Sequence, residues 1–265
     1  MKKSGATFIL TLFIAFPVLL FLSYFSRDDR TMPIRTLTHV RALLAALLIT
    51  MAPALPALAD TLVFGGTRGI GLETVRLLAG KGEAVTVLVR ETSDLTALNE
   101  IDGVSTTVGD AMDMASVTQV FAAGDYQAVV STLGGSMTAG FAVDSVGNIN
   151  AIDGAKAAGV ERFVLVTSIG AGDSRAAAPA PMLKALGPVL AEKEKAERHL
   201  IDSGLQWTII RPGFLNDKPR DTQGILTQQT STLAAISRAE VARLVAESVG
   251  SEATFGKIYS AIDAP

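Results

Sequence analysis

The run Leu62-Val63-Phe64-Gly65-Gly66-Thr67-Arg68-Gly69-Ile70-Gly71 constrains this chain more than any other stretch. Apolar residues of strand type meet a glycine cluster, and helical spacing follows at once through Ile70, Leu72, Val75 and Leu78. Gly65 lets the backbone turn, Gly69 allows close approach of a pyrophosphate, and Gly71 lets the helix pack closely on the strand. The unpaired amides of the first helical turn, with the helix macrodipole behind them, attract phosphate. A glycine cluster alone marks only a turn; the strand–turn–helix setting marks a dinucleotide site. Cofactor contacts are therefore expected at Gly65, Thr67, Arg68, Gly69, Ile70 and Gly71.

From Thr61 onward, strand-like runs alternate with helical patterns, which is the pattern of a parallel sheet covered by helices. Strands are expected at 61–64, 84–89, 104–108, 128–132, 163–167, 207–210 and 257–261. Helices are expected at about 70–80, 115–123, 143–158, 184–203 and 238–249, with irregular segments around 170–183 and 213–233. Residues 60–265 thus read as a single α/β domain, a Rossmann-type doubly wound parallel sheet with right-handed crossovers.

Cofactor preference is set at the end of the second strand. An acidic residue there binds the ribose 2′-hydroxyl of NAD, whereas a guanidinium pairs with the 2′-phosphate of NADP. This chain has Arg90 after Ala84-Val85-Thr86-Val87-Leu88-Val89, and Arg68 supplies a second cation within the glycine loop. The expectation is NADP(H) over NAD(H). In the competing reading Arg90 is a solvated strand-end residue and Glu91 takes the ribose.

Residues 1–59 read as membrane anchor, signal sequence, or both. Residues 8–25 are apolar apart from Thr11, Ser23 and the Tyr24 hydroxyl, and as a helix would span about 27 Å, near a bilayer core. A second pattern starts at Met32: Arg35 and Arg41, an apolar run over 42–51, then Ala57-Leu58-Ala59 before Asp60. That is the order of a cleavable secretory signal, so the true start is either Met1 or Met32. A two-helix hairpin anchor, ended by Pro53 and Pro56, fits the same residues, with membrane association through 8–25 or 42–59. The domain is then membrane-associated, or exported if cleaved after Ala59. This segment carries most of the excess behind a mean hydropathy of +0.38. With a net charge of −3 and no basic tract, the chain has no electrostatic footprint for nucleic acid. It has no cysteine and only His39 and His199, which leaves no metal site of cysteine or histidine type.

From Thr61 to Ala261 the sequence resembles the short-chain dehydrogenase/reductase superfamily, in particular its atypical NAD(P)H-binding branch of NmrA-like and flavin-reductase-like proteins. The resemblance rests on a Gly-x-x-x-Gly-x-Gly loop at Gly65, Gly69 and Gly71, on Gly109-Asp110-Ala111, and on Ser131-Thr132-Leu133-Gly134-Gly135. It extends through Val164-Leu165-Val166-Thr167-Ser168, the segment Gly204 to Gly213, and Ile236-Ser237-Arg238-Ala239-Glu240-Val241-Ala242, where Ser237 and Glu240 form a capping box. It implies that Asp110 and Ala111 meet the adenine, that Thr132, Leu133, Gly134 and Thr167 line the cofactor, and that Pro212 and Phe214 pass the nicotinamide. Ser168 stands at the branch's active-site serine, and Lys193 is placed to reach the nicotinamide ribose.

One departure matters for chemistry. Relatives that use Tyr-x-x-x-Lys take a proton from the tyrosine. Here Lys193 is preceded at that spacing only by Pro188-Val189, and no tyrosine in the chain has a lysine four residues on. The resemblance therefore implies an oxidoreductase that passes hydride to a small-molecule acceptor, a flavin, quinone or similar conjugated compound, without a tyrosine acid. The alternative is a non-catalytic NADP(H)-sensing or assembly protein with a protein partner. Three of these residues also fit purely structural roles: Ser168 as a strand cap, Lys193 on a solvated face with Glu192, Glu194 and Lys195, and Phe214 as core.

Overall fold

The computed structural model describes residues 60–135, 140–220, 223–230 and 232–264. The two N-terminal apolar stretches lie outside the described residues. Among the described residues no helix is long and apolar enough to cross a membrane.

The described residues begin with β1 (Asp60–Phe64), α1 (Gly69–Gly80), β2 (Ala84–Val89), a single turn α2 (Thr96–Asn99) and β3 (Val104–Val108). It continues with α3 (Met114–Ala122), β4 (Tyr126–Ser131), a π-helical turn (Val143–Gly147), α4 (Asn148–Ala158) and β5 (Arg162–Val166). A 3₁₀ segment (Gly172–Ala177) leads to α5 (Ala180–Ile201) and β6 (Gln206–Pro212). Three short strands follow, β7 (Phe214–Asn216), β8 (Gly224–Thr227) and β9 (Ala235–Ser237), then α6 (Arg238–Val249) and β10 (Lys257–Asp263).

Strand order in the main sheet is β3-β2-β1-β4-β5-β6-β10-β8. All neighbours are parallel except β8, which runs antiparallel to β10. The order reverses beside β1, between β2 and β4, and ligands of such sheets bind outside the carboxyl ends of the strands at this switch point. Both faces are covered, so the inner strands are nearly continuous apolar runs, as in the Ala-Val-Thr-Val-Leu-Val of β2. Alternation still sorts the side chains of β1. Val63 packs with Val75 and Leu78 of α1 and Val245 of α6, whereas Leu62 and Phe64 pack with Phe121, Ile152 and Leu200 of α3, α4 and α5.

The structure departs from the sequence pattern where the chain is shortest in period. The segment read as irregular at 213–233 carries β7 and β8, whose pairing partners, β9 and β10, lie later in the chain. The helix expected from 184 starts at Ala180, because Pro179 and Pro181 sit where a helix needs no amide hydrogen. At the far end of the sheet Arg162 is buried with no carboxylate partner among the described residues. It donates to the Val249 and Ser248 carbonyls at the end of α6, to Gln206 O and to Thr208 Oγ1, and lies 4.5 Å from the Phe255 ring. Burial pulls its pKa down to about 10.

Candidate dinucleotide site

The glycine loop is built as its three roles require. Gly65 has φ +81°, and a Cβ there would lie 2.9 Å from Thr132 Oγ1. A Cβ on Gly71 would lie 2.2 Å from the Gly65 carbonyl oxygen, so α1 rests directly on the turn. Thr132, at the exit of β4, closes this contact by donating its amide to Phe64 O at 3.0 Å and its hydroxyl to Gly65 O at 3.1 Å. Gly69 is left-handed at φ +56°. Asp113 caps α3 and Ser237 caps α6, but among the described residues no side chain caps α1, and its first turn holds no acid. Its leading amides are left for an anion, which is the cradle a pyrophosphate fits.

Beside this cradle lie the carboxyl ends of β2 and β3. The Gly109 amide donates to Val89 O at 2.9 Å and so holds the two strand exits together. Arg90 and Glu91 are both exposed there, and the Arg90 amide is held by Ser93 Oγ. Asp110 is exposed and accepts from the Met112 amide, while the buried Ala111 offers its carbonyl to Asn150.

Across the switch point, Lys193 is not on a solvated face. Its side chain is 14% exposed and its Nζ lies 2.6 Å from Asp144 Oδ1, a fully buried carboxylate in the π-helical turn. The other Asp144 oxygen accepts from the Gly135 amide at 2.7 Å. A Cβ on Gly134 would sit 3.5 Å from Asp144 Oδ1 and 3.7 Å from Lys193 Nζ, so the pair lies against the exit of β4. Its neighbour Glu192 turns elsewhere, to Lys195 and Ser145, and those hydrogen bonds hold its carboxyl below the ordinary range. Asp144 was not singled out from sequence. Its only signal was a carboxylate inside an otherwise packed helix start.

At the ends of β5 and β6 a second buried cluster sets the wall. Glu197 of α5 accepts from Thr167 Oγ1 at 2.6 Å, from Arg211 Nε at 2.9 Å and from Arg211 Nη2 at 2.8 Å. Arg211 also pairs with Asp173. Burial works against the Arg211 cation, but Glu197 and Asp173 outweigh it and raise its pKa. Gly172 must be glycine, with φ +52° and Arg211 Nη2 2.7 Å from where a Cβ would stand. The Thr167 hydroxyl is thus committed to Glu197. Ser168, partly buried, donates to the Ile169 carbonyl at 3.0 Å, and Ile169 in turn donates its amide to Pro212 O. Phe214 is 50% exposed, which removes its reading as core. His199 ties α5 to α4 through Asp153 at 2.7 Å and lies away from these strand ends.

Comparison with known proteins agrees with this geometry. A family model described as NAD(P)H-binding matches residues 65–252. An uncharacterized chloroplastic protein of Arabidopsis thaliana is 30% identical over 213 residues, 76% of this chain and 75% of that protein. Sanguinarine reductase of Eschscholzia californica is 36% identical over 124 residues, 44% of each chain. The structure of ChuY, an anaerobillin reductase of Escherichia coli O157:H7, is 32% identical, with a TM-score of 0.70 over 77% of this chain and 97% of that one. The chain spans three quarters of the Arabidopsis protein but under half of sanguinarine reductase. By its glycine-loop fold and by these matches, this chain belongs to the NAD(P)H-binding family, among the NmrA-like, atypical short-chain dehydrogenase/reductase proteins.

Proposed function

We propose that this chain is an NADPH-dependent reductase that passes hydride to a flavin, quinone or similarly conjugated acceptor without a tyrosine acid. The observation that carries the reading is the pairing of an uncapped α1 N-terminus with Lys193 Nζ, held by Asp144 at the exit of β4. The first suits a pyrophosphate and the second the nicotinamide ribose. Gly65, Gly69 and Gly71 keep the loop open to the phosphates, and Thr67 and Ile70 edge it. Arg68 and Arg90, both exposed, support a 2′-phosphate over a 2′-hydroxyl. Asp110 and Ala111 serve the adenine; Thr132, Leu133, Gly134 and Thr167 back the cofactor; Ser168, Pro212 and Phe214 face the acceptor side. When bound, NADPH supplies a hydride. A conjugated acceptor gains it and takes one proton from water at its own heteroatom, so the protein supplies position and dryness rather than an acid. The reductase names of ChuY and sanguinarine reductase support turnover over pure sensing.

The test is titration of the full chain in detergent with NADPH and NADH, followed by NADPH oxidation against flavins and quinones. The expected result is tighter NADPH binding, a gap that narrows in Arg90→Gln, and slow oxidation with several acceptors. Equal affinities would remove the 2′-phosphate reading. Tight binding with no oxidation by any acceptor would identify an NADP(H)-sensing or assembly protein instead. For residues 1–59 we propose an anchor or a signal. A mature N-terminus at Asp60 identifies the cleaved signal, and a retained segment the anchor.

A further inference from the structure

In sequence Arg238 opens a helix, yet in the fold it stands at the glycine loop. Outside the turn itself, the only described group within 4 Å of where a Gly69 Cβ would stand is Arg238 Cδ, at 3.8 Å. Gly69 is the position at which the loop admits a pyrophosphate. The arginine stem therefore runs along the approach that the anion takes.

Its placement is set by strand register. β7 and β9 pair in parallel through Asn216 opposite Ser237, so the next residues, Asp217 and Arg238, emerge side by side. Ser237 Oγ accepts from the Glu240 amide at 3.1 Å, which fixes Arg238 as the first residue of α6. Arg238 Nη1 lies 2.6 Å from Asp217 Oδ1.

Helix stability does not explain a cation there, because the macrodipole at a helix N-terminus opposes positive charge. The ion pair does not explain it either. The Asp217 side chain is 85% exposed, and a pair this open to water biases an equilibrium by less than about fivefold. A pyrophosphate docked on the α1 amides offers more negative charge than one carboxylate, with charge-assisted hydrogen bonds to a guanidinium.

We propose that Arg238 is a cofactor-binding residue held ready by Asp217, and that it exchanges the Asp217 carboxylate for a pyrophosphate oxygen when a dinucleotide binds. The proposal rests on the dinucleotide reading of the glycine loop. It assigns Arg238 to the pyrophosphate, common to NADPH and NADH, and so separates it from Arg90, assigned to the 2′-phosphate.

The test uses the full chain in detergent, with dissociation constants read by calorimetry for NADPH, NADH and adenosine 2′-monophosphate, which lacks the pyrophosphate. In Arg238→Gln, NADPH and NADH should weaken by the same factor, about tenfold or more, with adenosine 2′-monophosphate unchanged. Arg238→Lys should retain part of the affinity, and Asp217→Asn should tighten both dinucleotides by up to about fivefold. Thermal unfolding confirms that each variant is folded. Folded Arg238→Gln that binds NADPH as the parent does would overturn the role of Arg238 and leave the dinucleotide site standing. Loss confined to NADPH would overturn it as well, by moving Arg238 to the 2′-phosphate. If the parent chain binds neither dinucleotide, the reading beneath it fails and this proposal falls with it.

Discussion

Replacing Glu197 by leucine tests whether a buried charge cluster holds the ends of β5 and β6 together. Glu197 and Arg211 are each 2% exposed in their side chains, and the carboxylate accepts from Thr167 and twice from Arg211. With Glu197 gone, the Arg211 cation keeps among the described carboxylates only Asp173, whose side chain is 65% exposed and shares its charge with water. Stranding one partner of a buried pair costs about 3–5 kcal/mol, because the desolvated charge loses its compensation. For a domain of this size each kcal/mol is about 2–4 °C in Tm, so the change should lower Tm by roughly 6–20 °C. Adding Arg211→Met removes the stranded cation, and the double variant should recover most of the loss while Asp173 returns to water. The assay is thermal and urea unfolding of the parent, both single variants and the double variant, closed as a mutant cycle. A Glu197→Leu loss below about 1 kcal/mol, or losses that simply add in the double variant, would refute the reading that Arg211 depends on Glu197.

Other perturbations give outcomes of different kinds. Gly71→Ala drives a Cβ to 2.2 Å from the Gly65 carbonyl oxygen, so it should cost about 1–3 kcal/mol in unfolding and weaken NADPH binding in a titration. Gly80→Ala, on the same helix with nothing within 4 Å, should instead stabilise by up to about 1 kcal/mol. Lys193→Met leaves the Asp144 carboxylate buried and unpaired and should lower Tm, with Asp144→Asn in the same chain restoring most of it. Burial raises the Asp60 carboxyl above 3.8, against its hydrogen bond from Thr86. The folded state then holds a proton that the unfolded chain releases, and stability falls as pH rises from 3.8 through the folded value. Asp60→Asn should thus raise Tm at pH 7 and leave it unchanged at pH 3, as followed by thermal unfolding across pH.

Several features were legible because their causes are local. The bounds of β2 and β3 follow from short runs of β-branched residues, and α6 is announced by Ser237 and Glu240. Gly65, Gly69 and Gly71 could be read from spacing because the turn itself needs positive φ at Gly65 and Gly69 and sets Gly71 directly on the Gly65 carbonyl, all within seven residues of chain. The same locality misled at 213–233, where a three-residue or four-residue strand has too little period to show and exists only because β9 or β10 pairs with it.

By itself, then, the sequence determined the doubly wound order of strands and helices and the phosphate-accepting turn, since hydrophobic period and glycine sterics act between near neighbours. Only tertiary structure decided which charges meet one another beside the glycine loop and the strand ends. Lys193, which only the family resemblance places toward the cofactor, gains a buried partner when Asp144 meets it from another element, and Arg211 reads as a strand residue until Glu197 and Asp173 surround it. Arg238 acquires a place at Gly69 only through the pairing of β7 with β9. A buried or docked charge needs a partner to offset its loss of water, and that partner can come from anywhere in the chain, so it leaves no period to read.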